Sequence, residues 1–382
     1  MKKISLVATA VLSLVSASAM AQSSVNLYGL IDAGLTYTTQ QPGGNRVGID
    51  AGVIATSRWG MRGTEDMGSG MKAFFNLEST LINDTGAAGL NFGGGTAGGT
   101  TNSLFDRAAV IGLSGDFGSV SLGRQNILGV DSIGLADPIG LAHAGSGNPN
   151  VFFSALNAGG LRGNTIPLYA NYGTNGGGAA LRQNNSIRYL TPVFGGGFGG
   201  ALMYGAGEQA GNTSKSSYKG ISGYYRTGNS GAALAYATLK NAADTDTLTL
   251  WGGGVKYAID SMFTIKATYA QNKMSLSNRK IAVAAIGLDY SLTPALTITP
   301  AYYITKSTGR PQVADTQDSK MQQFYLIGKY AMSKRTTLYS TYTHAKAGST
   351  AVTDTELAPF FVNPAVGSAS ANRLTFGMVH AF

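Results

Sequence analysis

One pattern recurs from end to end of this chain: short segments in which apolar and polar side chains alternate. In "SVNLYGLIDAGLTY" the residues Val25, Leu27, Ile31, Ala33 and Leu35 alternate with Asn26, Tyr28, Asp32 and Thr36. A period of two with one apolar and one polar face specifies a β-strand. Trp59 and Met61 alternate in the same way with Arg58 and Arg62. Met71, Ala73, Phe75 and Leu77 alternate with Lys72, Asn76 and Glu78, with Phe74 out of step. The chain ends on the same pattern, with Phe376, Met378, His380 and Phe382 on one face and Thr375, Gly377, Val379 and Ala381 on the other. No helical period competes with it.

The pattern predicts strands over 25–38, 46–63, 70–83, 103–114, 118–125, 184–192, 197–209, 217–227, 231–240, 247–259, 262–273, 279–292, 295–306, 320–332, 335–345 and 372–382. Their lengths centre on the roughly 9–11 residues that a tilted strand needs to cross a bilayer. Connections alternate between tight turns, such as "GDFG", "LTPA" and "MSKR", and long loops, of which the longest runs from about 125 to 184. Beyond the first residues no run of 18 apolar residues occurs, which excludes a bundle of membrane helices. Charged residues are only 12% of the chain, while Gly (54) and Tyr (19) are abundant. That composition suits a wall with lipid on one face and water on the other. In hydrocarbon an open sheet edge would leave a row of backbone groups unpaired, so spanning strands must close on themselves. The predicted fold is all-β: a closed antiparallel transmembrane barrel of sixteen strands, the even number that such barrels require. Tyr37, Tyr189, Trp251, Tyr257, Tyr269, Tyr290 and Tyr330 are placed to form its interfacial aromatic girdles.

The first residues, "MKKISLVATAVLSLVSASAMAQ", combine Lys2 and Lys3, a short apolar run and a small-residue site, and predict a secretory signal peptide over 1–21. Residues 22–382 then form a single barrel domain, and loss of the two lysines takes the net charge from +9 to +7. The chain has no Cys, so a disulfide framework, a thiolate metal site and a thiol nucleophile are all excluded.

"SSVNLYGLIDAGLTY", "SRWGMRGTEDMGSGMKAFFNLES", "LFDRAAVIGLSGDFGSVSLGRQ", "NSIRYLTPVFGGGFGGALMYG", "YAMSKRTTLYSTYTH" and the terminal strand together resemble the general trimeric porins of β-proteobacterial outer membranes. The resemblance runs over nearly the whole of 22–382 in the family's order. It implies an outer-membrane, water-filled channel for passive diffusion of small hydrophilic solutes and ions, three barrels per homotrimer, and the loop at 125–184 folded into the pore as a constriction. It further implies contact with outer-membrane lipid and lipopolysaccharide, recognition of the strand ending in Phe382 by the outer-membrane assembly machinery, and a Gly-rich loop at 84–102 that can latch onto a neighbouring subunit.

A barrel of this size is too wide for its own side chains to fill. Alternation places Tyr28, Asp32, Arg58, Arg62, Lys72, Glu78, Arg188, Lys266 and Asp289 inward, since each Arg or Lys on the lipid face would cost about 2–4 kcal/mol at mid-membrane. The resemblance puts a basic wall of Arg58, Arg107 and Arg188 opposite the loop, with Lys72 also on the polar face. Arg124 shares the parity of Val120 and Leu122, so it points inward only if its strand ends or bulges there. The loop supplies the acids Asp131 and Asp137 and the bases Arg162 and Arg182, without a dense acidic cluster. Rings of Arg and Lys favour anions, so the expectation is a weak anion preference. A substrate-specific porin of the same fold is the alternative, with Phe152, Phe153, Tyr169 and Tyr172 either greasing a solute path or anchoring the loop.

Other classes find little support. His143, His344 and His380 join no nucleophile and acid in a triad pattern, so no enzyme is expected. Cofactor and metal sites are likewise not expected. The basic residues are scattered singly and form no nucleic-acid stripe, and "GGGTAGG" lacks the Lys-Ser/Thr pair of a phosphate-binding loop.

Overall fold

The computed structural model describes residues 24–41, 43–88, 104–141, 172–173, 181–276, 278, 280–309, 319–346 and 369–382. Residues 1–21, and with them the expected signal peptide, lie outside the described residues, as does most of the Gly-rich loop at 84–102. The strands are β1 (Ser24–Gln41), β2 (Gly44–Ala51), β3 (Arg58–Gly68), β4 (Met71–Ile82), β5 (Ala87–Ala88), β6 (Ala108–Gly115), β7 (Gly118–Asn126), β8 (Arg182–Leu190) and β9 (Phe198–Gly205). They continue as β10 (Tyr218–Thr227), β11 (Ser230–Lys240), β12 (Thr247–Ala258), β13 (Phe263–Met274), β14 (Lys280–Ser291), β15 (Leu296–Thr308), β16 (Ser319–Ala331), β17 (Thr336–Lys346) and β18 (Ser370–Ala381). Among the described residues one short helix, α1 (Leu128–Gly134), follows β7.

Every neighbouring pair is antiparallel, and β1 pairs with β18 to close the sheet on itself. β2 and β3 both pair with β1, one beyond the other, and form two halves of a single wall strand; β5 pairs only with the end of β4. The wall is therefore a closed barrel of sixteen strands, as the alternation predicts. At the seam the N–H of Gly29 donates to the carbonyl of Phe382 at 3.1 Å and the N–H of Phe382 donates to that of Gly29 at 3.0 Å. The Phe382 ring lies over Gly29, in the space that a Cβ there would need. The terminal residue thus satisfies the last backbone groups of an otherwise open edge.

The two faces sort as the period of two requires. On β1, Val25 is 66% and Leu27 64% exposed to the outside, while Asp32 and Thr36 are fully buried. Phe74, out of step in the sequence, faces the lumen, and its ring covers Gly112 on β6. Tyr37, Trp251, Tyr257, Tyr269 and Tyr330 stand exposed on the outer face.

Two features depart from the sequence prediction. Residues 46–63 do not form one strand: the wall breaks at 52–57, between β2 and β3. Gly52 adopts φ +67, a left-handed conformation that suits glycine, and its N–H donates to the Asp32 carbonyl at 2.9 Å. The Asp32 carboxylate then accepts from the N–H groups of Ile54 (2.7 Å) and Ala55 (2.8 Å), and from the Tyr339 hydroxyl. A buried carboxylate with several donors replaces the missing ladder bonds, which is why the break is tolerated. The second departure is α1, seven residues long and too short to show a period of its own.

Candidate functional site: the pore lumen

The long loop leaves β7 and returns at β8; its first described stretch, 127–141, runs inside the barrel along the opposite wall, and 172–173 and 181 are described on the returning limb. The loop is bounded by β7 and β8 at 127 and 181, slightly inside the expected 125–184. The N–H of Leu128 donates to the Tyr218 hydroxyl of β10 at 3.2 Å. Gly129 abuts Leu250 of β12, Ala136 fills the space above Gly254 of β12, and Pro138 fills the space above Gly287 of β14. The Lys266 ammonium of β13 donates to the Pro138 carbonyl at 3.2 Å, and the N–H of Ile139 donates to the Tyr303 hydroxyl of β15 at 3.3 Å. The segment therefore steps across the wall from β10 to β15.

Small inward residues make this track possible: Gly254, Gly287, Ala235 and Ala237 leave room for a second layer of chain. Ile127, Leu128 and Ile139 are buried in one cluster with Leu239, Leu248, Leu250, Ile281 and Val283 of the inner wall. Burying a Leu or Ile side chain stabilises by about 1.5–3 kcal/mol, so apolar packing holds the loop and accounts for the apolar residues on the inner face of these strands. Tyr303 also donates to Asp137 at 3.0 Å, and Asp137 accepts from the N–H of Leu141 at 2.7 Å. On the returning limb Tyr172 is buried and donates to Asp246 at 2.6 Å. Asp246 also accepts from Ser275 at 2.6 Å and from the N–H groups of Thr247 (2.7 Å) and Leu276 (2.8 Å). Burial pushes the Asp246 carboxyl up, but these hydrogen bonds outweigh burial and hold it below the usual carboxylate range.

Across the lumen, the wall of β3 to β8 carries the arginines. Arg107 donates through Nε to Glu78 at 2.6 Å, and Arg58 lies 3.7 Å from the same carboxylate. Tyr28 donates to Glu78 at 3.0 Å and Arg62 stacks over the Tyr28 ring at 5.0 Å. Arg124 turns inward. The β7–β8 register shifts between Gly123 and Gln125, with Gly123 at φ +124, and this bulge re-aims the side chain. Arg124 then donates to the Asp106 carbonyl and to Asn184, each at 2.6 Å, while Thr80 holds the Asp106 carboxylate through two bonds of 2.7 Å. Arg182 is the first residue of β8, not a loop residue, and lies buried within electrostatic reach of Arg107 and Arg124. Arg188 pairs with Asp131 of α1 at 2.7 Å, bridging wall and loop.

The remaining sequence candidates are placed elsewhere. Lys72 sits beside the β3–β4 turn, opposite Asp66, six residues from Glu78 along β4; at about 3.3 Å per residue that is roughly 20 Å away. It belongs to the rim at the short-turn end. Asp137 is buried as an anchor, held by the Tyr303 hydroxyl and the N–H of Leu141, and does not reach the open lumen. Arg162, Phe152, Phe153, Tyr169 and His143 lie outside the described residues. Three luminal groups escape the sequence reading. Glu78 is read as inward but not as the partner of two arginines. Asp106 falls within the predicted strand 103–114 but precedes β6, which starts only at Ala108, so the alternation does not govern it. Arg373 of β18 is buried against Asp50 of β2, which Arg46 also contacts at 2.9 Å, a pairing visible only once β18 is known to meet β1.

Comparison with known proteins agrees with this architecture. The family described as Gram-negative porin matches residues 8–350. Outer membrane porin protein 32 of Delftia acidovorans is 36% identical over 262 residues, 65% of each chain, so the match spans just under two thirds of that relative. The major outer membrane protein P.IB of Neisseria gonorrhoeae is 26% identical over 354 residues, covering 85% of this chain and 89% of that one. Among solved structures, an anion-selective porin from Comamonas acidovorans superposes with a TM-score of 0.73 at 25% identity, over 94% of this chain and all of that one. With a closed sixteen-stranded barrel, a loop folded inside it and these relatives, the chain belongs to the Gram-negative porin family and is a multi-pass protein of the outer membrane.

Proposed function

We propose that this protein is a general diffusion channel: a water-filled, weakly anion-preferring pore for small hydrophilic solutes and ions, assembled as a homotrimer. The observation that carries the selectivity is the charge balance on the wall facing the loop. Four arginines face two carboxylates: Glu78 binds Arg107 and lies near Arg58, and Asp106 is within electrostatic reach of Arg124 and Arg182. The loop does not offset this excess, because Asp131 is engaged by Arg188 and Asp137 is buried. Fixed positive charge along a narrow, partly desolvated path lowers the barrier for anions and raises it for cations. The similarity to an anion-selective porin supports the same sign.

Sequence resemblance to trimeric porins supports the homotrimer, and the charged start followed by a short apolar run supports removal of residues 1–21 on export. Assembly machinery is expected to engage the strand ending in Phe382. Tyr172, buried against Asp246, favours the anchoring role for that aromatic over a solute track. Insertion into planar bilayers tests the reading: a trimer gives single insertions that close in three equal steps, and liposomes carrying the protein swell at rates that fall with the size of neutral sugars. Single-step closure would refute the trimer, and uptake of one sugar regardless of size would refute general diffusion.

A further inference from the structure

The break between β2 and β3 carries surplus chain. On β1, Leu30 is opposite Arg58 and Ala33 is opposite Ala51, so Ile31 and Asp32 alone stand against residues 52–57. Two residues cannot pair with so long a segment, and the surplus has to leave the plane of the sheet. Halfway along a spanning strand only one direction is open to it. Backbone outside a ladder is tolerated at membrane depth where it is buried in protein or lines a water-filled cavity, and never against lipid.

Hydrogen bonds fix that direction. Ile31 is exposed on the outer face, whereas Asp32 beside it points inward and is fully buried. The N–H groups of Ile54 and Ala55 both donate to the Asp32 carboxylate, at 2.7 Å and 2.8 Å, so this part of the segment lies on its luminal side. Hydrogen bonds to an ionised acceptor are about twice as strong as neutral ones. Ser57 closes the base of the excursion: its hydroxyl accepts from the Asp32 N–H at 2.8 Å, and its carbonyl accepts from the N–H of Leu81 on β4 at 2.9 Å. Val53, Thr56 and Ser57 are buried, while Ile54 and Ala55 remain half-buried. The segment is a compact knuckle held at both ends, with two side chains at its tip.

The knuckle adjoins the pore loop. Ile54 packs against the apolar cluster that seats Ile127, Leu128 and Ile139. Tyr339 of β17 donates to the carboxylate that holds the knuckle. Among the described residues, the loop steps across the inner wall from β10 to β15 and the knuckle takes over at β17 and β1, which leaves the arginine-bearing strands β3 to β8 facing them. The level also matches, because Arg58 follows Ser57 directly and its guanidinium donates to the Thr56 carbonyl at 3.4 Å.

We propose that residues 52–57 are a second in-folded constriction element: Ile54 and Ala55 form one edge of the narrowest opening, close the lumen on the β17–β1 side and direct passing solutes along the arginines. A regular ladder is given up at this one level, as happens where a wall must re-aim chain toward a functional site. The inference rests on the reading of the barrel as an open channel, and it does not depend on the sign of the selectivity.

The chain has no Cys, so a single introduced thiol reports on one position. Full-length Ile54→Cys and Ala55→Cys are inserted into planar bilayers and treated with methanethiosulfonate reagents of opposite charge. The thiolate attacks the reagent's sulfenyl sulfur, a mixed disulfide forms and methanesulfinate leaves; mass spectrometry counts the adducts. Either adduct should lower single-channel conductance by roughly a third or more, since bulk and charge at the narrowest point limit the current. Under a KCl gradient the two adducts should move the zero-current potential in opposite directions, the cationic one toward chloride. Thr64→Cys is the control: it is exposed in step with Arg58 and Arg62, nearer the β3–β4 turn, and should react while changing conductance by less than about a tenth. Thiols that stay unmodified at both 54 and 55, or that react fully without a change in conductance, would overturn the proposal. A parent protein that carries no current would instead refute the channel reading on which it rests.

Discussion

Replacing Tyr303 by Phe removes one oxygen from the inner wall and should loosen the pore loop. The hydroxyl has two partners, donating to the buried Asp137 carboxylate at 3.0 Å and accepting from the N–H of Ile139 at 3.3 Å. Asp137 keeps its bond from Leu141 at 2.7 Å, but Ile139 loses the acceptor for its N–H in a fully buried position. A hydrogen bond to a charged group contributes about 1.5–3 kcal/mol, and an orphaned buried donor costs about 1–3 kcal/mol. Part of each is recovered by relaxation, so the docked loop should lose about 2–4 kcal/mol relative to undocked states, a 30- to 700-fold rise in their population. The ring itself stays packed against Tyr325 at 5.4 Å, and the barrel ladder is untouched, so the fold should persist. Single-channel recording reads the outcome: open-channel current noise and the spread of conductance levels should both increase. Tyr330→Phe, exposed on the outer face, serves as the control and should change neither. Traces for Tyr303→Phe that cannot be distinguished from the parent would refute the claim that this hydroxyl fastens the loop.

Two further outcomes follow from named contacts. The Asp246 carboxyl ionises below the usual range in the folded protein, so its stabilising contribution is fully present above the unfolded value near pH 3.9 and is lost as pH falls through the lower folded value. Protease resistance of the returning limb around Tyr172 should therefore hold down to about pH 4 and fall below it, and Asp246→Asn should make it weak at every pH; resistance that declines between pH 7 and 5 would contradict the assignment. Deleting Phe382 removes both seam hydrogen bonds and the ring over Gly29, and should lower the amount of assembled protein at the cell surface more than the conductance of each assembled channel; normal surface levels would count against it.

The strands were legible because lipid outside and water inside impose opposite chemistries on alternate residues. Where that contrast is lost, sequence becomes ambiguous. On β11 to β14 both faces are apolar, as with Leu250 inward and Trp251 outward, because the inner face is roofed by the loop. Nothing local in "GVIATS" signals a break, since the residue that stabilises it, Asp32, lies on another strand. Helix α1 owes its existence to packing of Leu128 and Ile133 and to the acceptor on Tyr218, all tertiary. For the basic wall, parity placed Arg58 and Arg188 inward and made Arg124 conditional on a bulge, which Gly123 supplies. Parity also admitted Lys72, because it specifies the face and carries no information about depth. Arg182 falls within the expected loop for the complementary reason: strand ends are set by register, which the alternation alone does not fix.

The charge balance of the lumen is tested most directly by the zero-current potential across a planar bilayer under a gradient of KCl. The account predicts the sign set by faster chloride than potassium, shrinking as ionic strength rises and the arginines are screened, and moving toward zero when Arg58, Arg107 and Arg124 are changed to Gln. A potential of the opposite sign in the parent protein would contradict it.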